Sequence, residues 1–471
     1  MRWSFFIDAQ SLALAWDAVR LGGWMTGAAL SARFSGLNHK WRPWANTLSL
    51  VAGPLGWIAH LAPRAWSWVI ALRSREPDPA GYEQTAHDIL AAALVAGASD
   101  IHLEAQEKSY VVRFRQFGLM QEHLRCARRA GEMLVSVYKV FADLNTAERN
   151  HLQDGRFRWT DPASGHVLDV RIATSPALSG EKVALRLLNR PASLLHLSKI
   201  GLDAEACDSI RRHLRQPEGL VLVAGPTGSG KTSTSYALLQ EISGPSVNTV
   251  TIEDPVEYAL PHATQIGINP KMGVTFETSL RTVLRQDPNI IFVGEMRDPE
   301  SFRIGVRAAM SGHLVVSTMH ARDTVGALTA LRNLDIDRQV LAAAVRMLIS
   351  QRLVRELCPA CRVWTVPDAD TRAFFSSPHL RVALPERVAG PSAKGCPKCQ
   401  QGFLGRTGVF EIMRVDSKVR SWVTGGESEQ ELRSALAAGG FIDMREDACA
   451  KIASGRVWVD DAVRALGVFE G

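Results

Sequence analysis

A glycine-rich loop that follows an apolar run limits what this chain can fold into more than any other feature. The run Gly219–Ala224 leads into Gly-Pro-Thr-Gly-Ser-Gly-Lys-Thr, from Gly225 to Thr232. This spacing matches the phosphate-binding pattern G-x-x-x-x-G-K-[ST], and the residues after it are typical of a helix. Backbone N–H groups can surround a phosphate where no Cβ intervenes, and a helix N-terminus favours the anion. The sequence therefore predicts a strand, a nucleotide-binding loop and a helix.

The residue types in this loop indicate ATP and Mg²⁺ as the bound species. Lys231 offers an ammonium to the terminal phosphates, and Thr232 offers a hydroxyl to Mg²⁺. The predicted nucleotide-binding residues are Gly225, Pro226, Thr227, Gly228, Ser229, Gly230, Lys231 and Thr232. A chance glycine loop is the alternative, but the predicted strand before the loop and the predicted helix after it argue against that alternative.

Beyond the loop, short apolar runs alternate with helical patterns. The runs are typical of parallel strands buried on both faces: Thr249–Glu253, Ile290–Gly294 and Leu314–Thr318. Helices are predicted over Ser301–Ser311 and Thr324–Leu334. We expect an α/β protein, with a C-terminal RecA-like doubly wound P-loop ATPase domain, a smaller α/β N-terminal domain and a zinc subdomain held by four cysteines.

Acidic and histidine side chains follow several of these predicted strands. Glu295 comes directly after Ile290–Gly294, where a Walker B carboxylate is expected. Glu253 ends an earlier predicted strand and Glu257 follows it, and both are candidates for activating the attacking water. His320 lies where a strand delivers side chains to the carboxyl edge of the sheet, which favours a phosphate-sensing role. A solvated loop position is the alternative for any single one of them.

Four of the seven cysteines form two Cys-x-x-Cys pairs, which indicates a metal site. This spacing lets both thiolates of a pair bind one tetrahedral ion. The predicted zinc ligands are Cys358, Cys361, Cys396 and Cys399, in a subdomain over 357–408. Four unligated thiols are the alternative. The other three cysteines are predicted to be buried: Cys126, Cys207 and Cys449.

Residues 1–75 differ in composition from the rest of the chain. They hold eight Lys or Arg against two acidic residues, and eight of the twelve tryptophans. This composition suits a membrane interface with anionic lipid, or docking on a membrane-bound adaptor; a small helical domain with a tryptophan core is an equal alternative. A membrane span at Leu48–Leu72 is disfavoured because prolines and Arg64 interrupt it. The remaining predicted boundaries are an N-terminal domain over 76–189, a linker over 190–205 and the ATPase domain over 206–471.

Several motifs together resemble the secretion ATPase superfamily that drives type II secretion and type IV pilus assembly. Leu284–Asp298 is similar to its signature, residues 251–258 to its aspartate box and residues 312–320 to its histidine box. The resemblance extends from about Ala98 to the C-terminus. Asn289 and Phe117 depart from the usual family pattern, but neither belongs to the predicted phosphate loop.

The resemblance implies more than the residues do by themselves. Segments around Ser99–Glu104 and Gly180–Arg186 are similar to the second N-terminal domain of the family. By that resemblance Arg171 and Arg186 would reach the γ-phosphate when this domain closes on the ATPase domain. It also implies a homo-oligomer, a hexamer, that is cytoplasmic and peripherally associated with the inner membrane. Its partner would be a polytopic inner-membrane platform protein.

Two other functions are compatible with a phosphate loop. A nucleic-acid motor for DNA uptake or conjugation would also hydrolyse ATP, but charges balance beyond residue 75, which argues against a nucleic-acid partner. A nucleotide-gated scaffold would bind ATP without turnover, and the intact Lys231, Thr232 and Glu295 argue against it.

Overall fold

The structure is a computed structural model that describes residues 81–188, 196–296, 298–376 and 380–467. The predictions for residues 1–75 lie outside the described residues. The chain divides into two compact units, Met1–Asn189 and Arg190–Gly471, called here the N-terminal unit and the C-terminal unit. Among the described residues, no helix has both the length and the apolar character needed to cross a bilayer.

The N-terminal unit is a six-stranded antiparallel sheet with two helices. Its elements are α1 (Tyr82–Val95), β1 (Asp100–Ala105), β2 (Ser109–Gln116), β3 (Leu119–Ala127), α2 (Arg128–Phe141), β4 (Gln153–Thr160), β5 (Val167–Ala177) and β6 (Gly180–Leu188). The strands are ordered β3-β2-β1-β6-β5-β4. Helix α1 ends at Val95, because Gly97 has φ +61° and its N–H donates to the Leu94 carbonyl.

Alternation along the strands gives this sheet one apolar face and one polar face. On β5, Leu168, Val170 and Ile172 are buried and pack in one core with α1 and α2. Asp169 and Arg171 alternate with them and therefore point to the opposite face. The helices cover the apolar face, so the charged side chains lie on the polar face.

The C-terminal unit is built on a seven-stranded sheet. Its first elements are α3 (Ala204–Leu214), β7 (Gly219–Ala224), α4 (Lys231–Ile242), β8 (Thr249–Glu253), β9 (Ala263–Gly267), α5 (Phe276–Val283), β10 (Ile290–Val293), α6 (Pro299–Met310), β11 (Leu314–Met319), α7 (Thr324–Arg332) and α8 (Arg338–Ala344). The strand predicted at Thr249–Glu253 has the predicted bounds, and those of β10 and β11 differ by one residue. Short 3₁₀ turns lie at Leu197–Lys199 and Pro270–Met272.

The remaining elements complete this sheet and form a smaller subdomain. They are β12 (Val345–Leu357), β13 (Val363–Thr365), α9 (Ala369–Phe374), β14 (Val388–Gly390), β15 (Phe403–Arg414), α10 (Ser417–Thr424), α11 (Glu429–Ala438), α12 (Met444–Ala453) and α13 (Val459–Leu466). The sheet order is β15-β12-β7-β11-β10-β8-β9, parallel throughout except for β15.

Both faces of this sheet are buried, which confirms the doubly wound prediction. On β7, Leu220 and Leu222 pack into one hydrophobic core, and Val221 and Val223 pack into the core on the other face. A parallel sheet covered on both faces leaves only its edges open to solvent, and its strand ends meet at one edge.

The prediction for the three isolated cysteines is partly wrong. Cys207 and Cys449 are buried, whereas Cys126 is half-buried. Cys126 lies on β3, the edge strand of the N-terminal sheet, where a strand has a neighbour on one side only.

Candidate active site

The loop between β7 and α4, Gly225–Thr232, is called the phosphate loop. Gly228 and Gly230 have φ of +78° and +90°, the left-handed region that favours glycine. A Cβ on Gly225 would lie 2.5 Å from the Ser229 hydroxyl oxygen and 2.8 Å from the Gln351 carbonyl oxygen. The backbone of the loop can close only because glycine occupies these positions. Pro226, Thr227 and Gly228 are exposed, and Ser229 is buried.

Lys231 is the first residue of α4, and its side chain folds back over the loop. Its Nζ donates to the carbonyl oxygens of Gly225 at 2.8 Å and Pro226 at 3.1 Å. Burial lowers the pKa of Lys231; Glu295 opposes that shift, and Arg352 adds to it. The ammonium is therefore near both Glu295 and Arg352. Thr232 follows it in the first turn of α4 and is half-buried.

Glu295 lies just past the end of β10, and neighbouring strands fix the backbone around it. Gly294 donates its N–H to the Ile252 carbonyl at 2.8 Å and accepts from the Thr318 hydroxyl at 2.7 Å. Met296 donates to the Thr318 carbonyl at 3.2 Å. Strands β8 and β11 therefore hold both residues that flank Glu295, which places its half-buried side chain at the carboxyl edge of the sheet.

The two candidate water-activating carboxylates have different surroundings. Glu253 ends β8 and is 3% exposed. It accepts hydrogen bonds from Tyr236 and, at 2.6 and 3.1 Å, from the Thr251 hydroxyl and the Gln265 amide. Glu257 is half-buried, and its N–H lies 3.3 Å from the Tyr236 hydroxyl oxygen. Both residues form a hydrogen bond with the Tyr236 hydroxyl, so the two candidates share one partner.

His320 follows β11 directly and is exposed. Because β11 lies between β7 and β10, His320 leaves the sheet between the phosphate loop and Glu295. Residues 320–323 are called the His320 loop. This loop ends at Asp323, whose carboxylate accepts from the Gly326 N–H at 2.7 Å and so caps α7.

Gln351 and Arg352, on β12, were not among the predicted site residues. The Gln351 side-chain amide donates to the Ser229 carbonyl at 2.7 Å. Arg352 donates to the carbonyls of Gln351 at 3.0 Å and Arg322 at 2.7 Å. No motif identifies them, since β12 is far from the loop in sequence. The available signal is a polar run, Ser-Gln-Arg, between the apolar pairs Leu348–Ile349 and Leu353–Val354 of this strand.

Arg171 and Arg186 lie on adjacent strands of the N-terminal sheet, directly opposite each other on its polar face. The Arg186 side chain is 66% exposed and forms an ion pair with Asp100, with 3.1 Å between Nε and Oδ1. Asp100 also pairs with Arg115, at 3.5 Å. Arg186 is thus held at its base by a buried carboxylate and still exposes most of its guanidinium.

The four predicted zinc ligands, called the cysteine cluster, come together at the end of β12 and before β15. All four sulfur atoms lie within 4.8 Å of one another. Cys358 and Cys396 are separated by 3.7 Å between sulfurs, and Cys361 and Cys399 by 3.5 Å. A tetrahedral zinc ion with Zn–S bonds of about 2.3 Å would separate its ligands by about 3.8 Å. The sulfur positions therefore fit a structural zinc ion, and they are too far apart for disulfides.

Comparison with protein families and curated proteins gives consistent matches. The family model "Type II/IV secretion system protein" matches residues 76–464. The type II secretion system ATPase E of Vibrio cholerae is 38% identical over 377 residues, which is 80% of this chain and 73% of that protein. The type II secretion system protein E of Pseudomonas aeruginosa is 40% identical over 379 residues, 80% of this chain and 74% of that protein.

The similarity extends to one further curated protein and to two solved structures. The type IV pilus assembly ATPase PilB of Thermus thermophilus is 34% identical over 82% of this chain and 43% of its own length. Among solved structures, the Legionella pneumophila ATPase DotB has a TM-score of 0.59 at 21% identity, covering 79% of this chain and 92% of its own. The pilus retraction motor PilT has a TM-score of 0.54 at 24% identity, covering 80% and 96%. These two structures share the fold.

Proposed function

Because the chain belongs to the type II/IV secretion system protein family and is a secretion ATPase, we propose that it powers assembly of a type II pseudopilus or a type IV pilus. It would act at the cytoplasmic side of the inner membrane on a polytopic platform protein. The observation that supports this most is the meeting of Lys231, Glu295 and His320 at one sheet edge around a closed phosphate loop. This arrangement suits ATP turnover coupled to movement of the surrounding loops.

We assign the residues at this edge separate roles. Lys231 holds the terminal phosphates, and Thr232 and Glu295 would hold Mg²⁺, which neutralises charge on the phosphates when bound. The backbone N–H groups of the phosphate loop orient the nucleotide. We assign activation of the attacking water to the pair Glu253 and Glu257.

Arg171 and Arg186 are proposed to neutralise charge on the transferring phosphoryl group. A guanidinium is suited to this role because it presents fixed N–H donors and keeps its charge. The support from the structure is that the Arg186 side chain is 66% exposed while Asp100 anchors it. His320 is proposed to sense the phosphate. We propose that six chains form a ring.

Gene replacement in the organism that carries this chain tests the cellular function. A strain carrying Glu295→Gln should lose surface filaments, secretion of extracellular proteins, or both, at normal protein levels. Asp169→Asn is a matched control, since it changes an exposed carboxylate that pairs with Arg158 on the N-terminal sheet. Normal filaments and secretion, with loss of DNA uptake alone, would instead support the nucleic-acid motor.

Sedimentation of the purified protein with a non-hydrolysable ATP analogue tests the hexamer.

We propose that the cysteine cluster binds one structural zinc ion. The ion would join the end of β12 to the segment before β15, because each contributes two ligands. The Cys396 N–H also donates to the Cys399 sulfur at 3.2 Å, which stabilises a thiolate there. Protein purified without added zinc should contain about one ion per chain. A Cys396→Ser/Cys399→Ser variant that keeps its full zinc content would rule the site out.

Residues 1–75 are proposed to attach the protein to the inner membrane or to a membrane-bound adaptor. The support is their sequence, which holds eight Lys or Arg against two acidic residues and eight of the twelve tryptophans. The full chain should float with anionic vesicles at low salt and lose much of that binding at high salt, because salt screens the attraction. A chain that starts at Tyr82 should remain unbound and keep its ATPase activity. Equal flotation of the shortened chain would contradict the proposal.

A further inference from the structure

Arg352 lies at the same sheet edge as the phosphate loop. Strand β12 is parallel to β7, and Ser350 pairs with Ala224, the last residue before the loop. Arg352 comes two residues later, beyond the end of β7. Its backbone is therefore level with the start of the loop.

Hydrogen bonds bring the Arg352 guanidinium between two loops. One Nη donates to the Gln351 carbonyl at 3.0 Å, the same oxygen against which Gly225 packs. The other Nη donates to the Arg322 carbonyl in the His320 loop at 2.7 Å. The guanidinium thus joins the base of the phosphate loop to the loop that follows β11.

The charge of Arg352 is not neutralised by an ion pair with any described residue. The nearby acids have other donors: Asp323 pairs with Arg433 at 3.0 Å, and Glu411 accepts from the Thr324 N–H at 2.8 Å. Burial lowers the pKa of Arg352, and Asp323 and Glu411 oppose that shift. Burial and the charge of Arg352 lower the pKa of Lys231, and Glu295 opposes that shift. Two cations therefore lie close together in a half-buried place, which favours binding of an anion.

A guanidinium can bind phosphate while it keeps its carbonyl partners. It has five N–H donors, and the two hydrogen bonds to carbonyls leave three for another acceptor. Its planar fork suits two oxygens of one phosphate. Lysine at this position would keep the charge but could not bridge both carbonyls and a phosphate in the same way.

We infer that Arg352 binds the terminal phosphate of ATP and, through the Arg322 carbonyl, couples that phosphate to the position of the His320 loop. This inference rests on the proposed ATP site at the phosphate loop and extends it by one residue. ADP lacks the terminal phosphate, so it leaves Arg352 bound only to the two carbonyls.

Calorimetric titration with ADP and with adenylyl imidodiphosphate, both with Mg²⁺, tests the first half. Arg352→Gln should weaken binding of the ATP analogue about tenfold or more and binding of ADP by less than about threefold. Arg352→Lys should fall between wild type and Arg352→Gln. Arg346→Gln is the matched control, because Arg346 lies on the same strand at the opposite edge of the sheet, beside Glu218. Equal loss for both nucleotides, or no loss, would overturn the inference.

Hydrogen exchange of the backbone over 318–326 tests the coupling. In the wild type the ATP analogue should slow exchange there more than ADP does, and Arg352→Gln should abolish that difference. Persistence of the difference in Arg352→Gln would overturn the coupling. If Arg352→Gln does not fold, Arg352→Lys decides both tests. In this variant the preference for the ATP analogue over ADP should be smaller than in the wild type, both in affinity and in the slowing of exchange. An unchanged preference would overturn the inference. A wild type that binds neither nucleotide would mean that the proposed function itself has failed.

Discussion

The two sheets of this protein place their polar groups in different locations. The N-terminal sheet is antiparallel, and its charged side chains are spread over one face, with Arg171, Arg186 and Asp100 among them. The C-terminal sheet is buried on both faces, and its polar site lies only at the carboxyl edge, where Lys231 and Glu295 meet. The N-terminal sheet therefore presents a broad polar surface, whereas the C-terminal sheet brings its polar site residues together at the ends of its strands.

The difference shows how strand pattern determines what a substitution does. A residue on the polar face of the N-terminal sheet lies within a regular strand. The sheet therefore fixes its backbone position, which does not depend on its side chain. An edge residue stands on a loop whose shape depends on its neighbours, as Glu295 depends on Thr318 through Gly294 and Met296. We expect substitutions at the edge to have larger effects on catalysis than substitutions on the face.

The largest effect is expected at the edge. Glu295→Gln removes the charge proposed to hold Mg²⁺, so turnover should fall about 100-fold or more while ATP still binds. Lys231→Ala should weaken ATP binding itself, since it removes the ammonium over the phosphate loop. Steady-state ATPase assays and nucleotide titration separate the two. Full activity in Glu295→Gln would contradict the assignment of that carboxylate.

The second effect concerns stability within the C-terminal sheet. Burial raises the pKa of Glu411, on β15, to about 7 from a usual 4.5, and the Thr324 donors offset part of that rise. Because the pKa is higher in the folded state than in the unfolded state, the folded state binds the Glu411 proton more tightly. The resulting contribution to the unfolding free energy is complete below the usual pKa of 4.5 and is lost as the pH rises through the folded-state pKa of about 7. Relative to Glu411→Gln, the wild type should lose about 2 kcal/mol of unfolding free energy from about pH 5.5 to about pH 8.

Denaturant unfolding of both proteins at the two pH values measures this difference. Glutamine keeps the acceptor oxygen for Thr324, which limits other effects of the substitution. A pH dependence identical in the wild type and in Glu411→Gln would show that Glu411 is not the group that titrates.

The third effect is expected on the polar face of the N-terminal sheet. Arg186→Ala and Arg171→Ala should each lower turnover about tenfold, because each removes a charge proposed to act on the phosphoryl group. Their melting temperatures should stay close to that of the wild type, since both side chains lie away from the core. Arg158→Ala, on the same face, is the control and should keep full activity. Loss of folded protein in both variants would favour a structural role instead.

The smallest effect is expected for an exposed pair on that face. Arg158 and Asp169 pair at 3.2 Å, but their side chains are 72% and 59% exposed. Asp169→Asn should therefore change the unfolding free energy by less than about 1 kcal/mol. Chemical denaturation measures the change, and a much larger loss would show that the polar face contributes to folding as well as to function.

Much of the C-terminal sheet could be predicted from its sequence, since buried parallel strands are continuously apolar and the phosphate loop has a fixed spacing. The edge residue Glu295 could be predicted for the same reason, as it follows such a strand directly. The arginines of the N-terminal sheet could not be predicted from pattern alone, because charged residues on an alternating strand are ordinary. Only the family resemblance singled out Arg171 and Arg186.

Gln351 and Arg352 escaped prediction for a different reason. Their position beside the phosphate loop depends on β12 pairing with β7, a contact between segments more than a hundred residues apart. Neither the composition nor the spacing near the loop contains that information. Likewise the sequence suggested Glu253 as a candidate for activating water, but it did not show that Tyr236, Thr251 and Gln265 donate hydrogen bonds to this carboxylate.

The tight packing at Gly225 affects how a mutational scan of this protein should be interpreted. Any side chain there would meet the Ser229 hydroxyl and the Gln351 carbonyl before a nucleotide arrived. Every substitution at this position should therefore score as inactive, whether or not the residue contacts phosphate. Gly228 has open space at the same point, although its φ of +78° still disfavours most residues. Asparagine tolerates that conformation best, so Gly228→Asn can report on phosphate contact in a way that no variant of Gly225 can.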